Sequence, residues 1–148
     1  MVITNSLWPS ASAQVNLPLA TLRVAFINDA KVALPAQDYG GVDLSEYGYV
    51  RSSAVTNLES SSTMNEASTK YNTADTNHTL AVYKTNEENS IQPDDDQALY
   101  NFGYDVDYWV STLKNAEDTA AVDSAVLGAE SDYNTAVSNR DAFNQAVS

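Results

Sequence analysis

The pattern that most constrains this chain lies at its C-terminal end. Val122, Val126, Ala129, Tyr133, Ala136, Arg140, Phe143 and Val147 follow one another at alternating spacings of four and three. A helix turns once every 3.6 residues, so this alternation draws one stripe along one helical face. The stripe predicts a long helix over the last thirty or so residues. Most of its members are small, and Arg140 sits among them. Such a face suits packing on a sheet or a sibling helix better than a free-standing zipper. It is the candidate interface of the chain, and Val126, Tyr133 and Phe143 are its expected buried anchors. Gly128 is its weak point, because a glycine costs a helix interior about 1 kcal/mol.

Upstream, the pattern is mixed. Leu99, Phe102, Val106, Trp109 and Leu113 repeat every three or four residues and predict a second helix. Tyr100, Phe102, Tyr104, Val106, Tyr108 and Val110 alternate as a strand would, and Gly103 weakens a helix. The acidic start Pro93-Asp94-Asp95-Asp96 favours the helical reading, since carboxylates complement the positive end of a helix dipole. Asn115-Ala116-Glu117-Asp118 reads as a break and a new cap.

The first part of the chain reads as β-rich. Leu22, Val24 and Phe26 alternate with Thr21, Arg23 and Ala25, Asn28-Asp29 resembles a turn, and Lys31-Val32-Ala33-Leu34 follows. This predicts a hairpin closed off by Pro35 and Tyr39-Gly40-Gly41. Residues 46–57 and 79–85 predict further strands. Between them, Met64, Ala67, Tyr71 and Ala74 recur at helical spacing, and Thr63 and Glu66 have the spacing of a capping box. The expected architecture is therefore α+β. An antiparallel, hairpin-based sheet over 20–85 precedes two C-terminal α-helices over 94–147. Residues 1–19 form an extended arm, and the whole chain is a single domain of 148 residues.

Chemistry leaves few marks. There is no cysteine and one histidine, His78. A zinc site of nitrogen and sulfur ligands therefore lacks its parts, and no Gly-x-Ser-x-Gly elbow accompanies the one histidine that a serine triad would use. His78, in Asp75-Thr76-Asn77-His78-Thr79, reads as an exposed loop residue. Asp105 and Asp107 lie two apart, without the glycine and distal glutamate of a calcium loop. No glycine run precedes a Lys-Ser or Lys-Thr pair, so no phosphate cradle is predicted. The aromatic group Tyr100, Phe102, Tyr104, Tyr108 and Trp109 reads as core rather than as a stacking platform. No catalytic residue, metal site or cofactor is assigned.

Charge supplies the remaining constraint. The chain carries a net charge of −13 with only seven lysines and arginines. Residues 85–148 hold thirteen acids and two bases. Such a field repels nucleic acid and anionic membrane. The N-terminus has neither a basic start nor an apolar run of the kind a secretory leader requires. These features predict a non-enzymatic structural subunit of a large assembly, with a phage virion protein such as a capsid cement or decoration protein as the leading form. Its expected partners are other structural subunits, either copies of itself or a major capsid-type protein, and its expected location is the virion, with extracellular or cytoplasmic sites as alternatives. Two other readings stand beside it: an acidic nucleic-acid mimic that inhibits a DNA-binding protein, and an extracellular filament or adhesin subunit.

Overall fold

A computed structural model of the chain describes residues 18–94 and 98–148, and the expected arm therefore falls outside the described residues up to Leu17. The architecture is helical, which corrects the α+β expectation. Among the described residues there are five α-helices, two short 3-10 turns and one hairpin of two-residue strands. The chain divides into two compact units, residues 1–79 and 80–148, and the boundary falls inside one long helix.

In the first unit, α1 spans Leu19–Ala33 where a β-hairpin was expected. The alternation of Leu22, Val24 and Phe26 misled because Val24 is 52% exposed. The buried positions are Phe26, Ile27, Ala30 and Leu34, whose spacing is helical. The one real hairpin pairs β1, Asp38–Tyr39, with β2, Val42–Asp43. Gly40 and Gly41 supply its turn with φ of 61° and 86°, the left-handed backbone that a two-residue hairpin loop demands. A 3-10 turn at Leu44–Tyr47 follows, then α2 at Arg51–Glu59. The strand expected over 46–57 is thus replaced by helix. Its apparent alternation came from buried Tyr47 and Tyr49, which flank a turn at Gly48.

The end of α1 is closed by side chains from distant sequence. The last carbonyls of a helix lack partners within it. Arg51 Nη2 donates to Lys31 O at 2.9 Å, and Tyr71 Oη donates to Ala33 O at 3.3 Å. Just beyond, Tyr49 Oη donates to Pro35 O at 2.6 Å. Burial pushes the Tyr49 and Tyr71 hydroxyls above the ordinary tyrosine range. These bonds fasten Tyr49, α2 and the next helix to the end of α1.

That next helix, α3, runs over Met64–Glu88. It absorbs the predicted short helix and overturns the strand expected at 79–85. Its buried residues are Ala67, Tyr71, Ala74, Ala81 and Lys84. The stripe of Met64, Ala67, Tyr71 and Ala74 simply continues, through His78, to Ala81. The strand expected there rested on Leu80, Val82 and Tyr83, and all three are only half-buried on the helix. The capping box forms in modified shape. Glu66 N donates to Thr63 Oγ1 at 3.1 Å, but the Glu66 carboxylate reaches back to Ser62 N rather than to Thr63 N. A hydrogen bond from Lys70, with the Ser62 amide adding to it, holds the Glu66 carboxyl below the usual range.

The second unit contains the end of α3, a 3-10 turn at Leu99–Phe102, α4 at Val106–Lys114 and α5 at Thr119–Val147. The predicted helix from Ala98 is therefore broken at Gly103, and only its second half is α-helical. Asp94 accepts from Leu99 N at 2.8 Å and from Tyr100 N at 3.3 Å, so the first aspartate of the acidic triplet opens a 3-10 turn. Asp95 and Asp96 lie outside the described residues. Asp105 and Asp118 cap α4 and α5, accepting from Tyr108 N at 3.1 Å and Ala121 N at 2.7 Å. Leu99, Leu113, Val122, Ala125, Ala129 and Ala136 form the core of this unit. Full burial of each leucine contributes roughly 1.5–3 kcal/mol.

Candidate functional site

The stripe on α5 is where the sequence places an interface, and the structure divides it in three. Val122, Ala129 and Ala136 are buried in the core of the second unit. Val126, Tyr133 and Arg140 are half-buried. Phe143 and Val147 are 54% and 65% exposed. The stripe therefore leaves its own unit as it approaches the C-terminal end. Of the three expected anchors, Val126 and Tyr133 pack against the core, while Phe143 stands largely in the open.

The elements facing α5 explain where cover ends. Its first half lies against α4. Trp109 packs over Gly128 so closely that a Cβ on Gly128 would meet Trp109 Cη2 at 2.3 Å. The indole also donates from Nε1 to Asp132 Oδ2 at 3.1 Å. Gly128, read as a weak point, is the position that lets the two helices approach. Further along, the buried Tyr104 ring meets Tyr133 edge-on at 5.4 Å between centroids. Tyr104 Oη donates to Gln92 O, and burial pushes this hydroxyl up. The last contacts come from the 3-10 turn. Asn139 Nδ2 donates to Phe102 O at 3.4 Å, and the Phe102 ring tilts against Phe143 at 5.8 Å. Phe143 is thus held on one side and open on the other.

Two residues of this unit escaped sequence reasoning. Tyr83 Oη donates to Asp123 Oδ1, and this bond pushes the Tyr83 hydroxyl up to about 12. Lys84 is buried, and its Nζ donates to Lys114 O at 2.7 Å, at the C-terminal end of α4. A cation there complements the negative end of that helix dipole. Burial lowers the Lys84 amine below its ordinary value. Only the spacing of Lys84 from Ala81 along the α3 stripe could have signalled its burial.

The remaining candidates are dispersed. His78 lies on α3, not in a loop, and its ring meets Tyr49 edge-on at 5.1 Å. The aromatic group divides between interior and surface: Tyr104 is buried, Phe102 and Trp109 are half-buried, and Tyr100 and Tyr108 are exposed. Among the described residues no three histidines, aspartates or glutamates gather as a metal site would require, and no helix is long and apolar enough to cross a membrane. A cleft of about 270 Å³ in the first unit is lined by Tyr49, Val50 and Ala54 together with the polar Ser53, Asn57 and Thr73. Compared with protein-family models, curated proteins and solved structures, the chain matches none.

Proposed function

We propose that this chain is a non-enzymatic structural subunit of a large assembly, and that its leading form is a phage virion protein of the capsid cement or decoration kind. One observation carries the reading. The stripe of α5 keeps its apolar character past the last residues that its own unit covers, so that Phe143 and Val147 are presented outward from a helix whose other end is anchored in a core. A rigid element with a covered base and an open apolar end is what a subunit needs to dock on a neighbour. The partner in this reading is another structural subunit.

The acidic-mimic reading has less support. Several carboxylates of the second unit already serve their own fold, Asp94, Asp105 and Asp118 as caps and Asp123 and Asp132 as acceptors for Tyr83 and Trp109. The deciding measurement is the size of the native particle, by light scattering with electron microscopy of source material. A symmetric particle of megadalton size is expected. A soluble monomer or dimer there overturns the proposal.

A further inference from the structure

We propose that the open end of α5 pairs with the same end of a second copy of this chain, the two helices running antiparallel with Phe143 near the centre of the contact. The inference rests on the reading of the stripe as an assembly surface, and it names the occupant. Ala142, Phe143, Ala146 and Val147 follow at one, three and one, the spacing of adjacent positions on neighbouring turns. All four are exposed. Contact with Phe102 restrains the Phe143 ring, so docking it on a neighbour sacrifices little side-chain freedom.

Charge selects the partner. Each copy carries −13, and two such chains repel across most of their surfaces. The last sixteen residues are different. They hold one base and one acid, Arg140 and Asp141, and these two pair with each other at 2.8 Å. The preceding stretch, residues 115–132, holds Glu117, Asp118, Asp123, Glu130 and Asp132 with no base. A basic partner would be drawn to that stretch and not to the neutral end. Along α5 itself, a copy of the same acidic chain meets the least repulsion where the helix's carboxylates stop. Charge also selects the direction. A parallel pair would lay the two acidic stretches side by side, whereas an antiparallel pair sends them to opposite ends.

Such an overlap is about three turns long, roughly 16 Å. It falls below the roughly 1,200 Å² that a standard stable interface buries, so the pair is weak alone and gains strength when many copies engage together.

The chain has no cysteine, so a single introduced thiol reports on one position. In the full-length protein, Ala142→Cys is expected to form disulfide-linked dimers under mild oxidation, more of them as concentration rises. Ser148→Cys, whose two copies would lie apart, is expected to link at least about tenfold less. Adding Phe143→Glu to Ala142→Cys should abolish the linkage without changing the helical circular dichroism. Without that cysteine, an equal mixture of the Phe143→Glu and Phe143→Lys chains should regain association that neither chain shows alone. Absence of Ala142→Cys dimers at millimolar protein overturns the proposal, as does linkage of Ser148→Cys at an equal rate. If Ala142→Cys instead links to a different subunit within native particles, the self-pairing falls while the assembly reading stands.

Discussion

Trp109 occupies the space that a side chain on Gly128 would need, and that single contact sets how closely α4 and α5 pack. Alanine favours a helix over glycine by about 1 kcal/mol, so an isolated α5 would gain from Gly128→Ala. In the folded protein the clash with the indole should win. We expect a net loss of about 1–3 kcal/mol, measured by denaturant unfolding. Trp109→Leu, which restores space, should cost far less when added to Gly128→Ala than when made alone. Tyr83 offers a separate handle. Its hydroxyl is held at about 12 against an ordinary 10.0, so the folded state favours the neutral ring. That contribution is intact below pH 10 and is lost as the pH climbs through about 12. Lys84 acts oppositely. Its lowered value means that the fold disfavours its charge, and its contribution rises as the pH climbs toward the ordinary lysine value. A phenolate absorbance titration should show a late phase to which Tyr49, Tyr71 and Tyr104 also contribute, and Tyr83→Phe should lower its amplitude by one tyrosine; an unchanged amplitude in the variant would refute the assignment.

At the scale of elements, the caps are the most direct link between sequence and structure. Asp118 was legible as a cap because it follows a polar break and precedes an apolar repeat, and its carboxylate does accept from Ala121 N. Asp118→Ala should cost about 1 kcal/mol, seen as a lower thermal midpoint. Glutamate at the same position should recover little of that loss, because its longer side chain does not reach back to the amide as aspartate does. The long C-terminal helix was legible for the same reason that its stripe was: the four-and-three alternation is sustained over many turns. The N-terminal half was not legible, and the reason lies in which residues are buried. Along α3 the inward positions are Ala67, Tyr71, Ala74, Ala81 and Lys84, an alanine-rich series that ends in a lysine. Hydrophobic periodicity is weighted toward large aliphatic side chains, so it followed Leu80 and Val82 and reported a strand. The same bias made α1 look extended, through the exposed Val24. The interface stripe was legible as a repeat. Its division into a covered part and an open part was not, since that depends on where the 3-10 turn carrying Phe102 stops.

At the scale of the molecule, each compact unit carries its own buried set, with Phe26, Ile27, Leu44 and Leu58 in the first and Leu99, Leu113 and Val122 in the second. Leu113→Ala should cost about 2–5 kcal/mol. Native-state hydrogen exchange should then show the largest loss of protection in α4 and α5, with a smaller loss in α1 and α2. An equal loss in both units would mean that the two buried sets unfold as one.

The hydroxyl-rich helices have a consequence for how the protein meets water. Thr69, Thr73, Thr79, Thr112, Ser124 and Ser138 each turn the hydroxyl inward, donating to the carbonyl four residues back. The threonines among them are left showing methyl groups to solvent. These positions are therefore oilier than their residue types imply, and the net charge of −13 opposes the approach of a second copy. Acidifying toward the isoelectric point of about 4.1 removes that repulsion while the methyls remain. The protein should come out of solution sharply there, and turbidity followed from pH 7 down to 4 checks it.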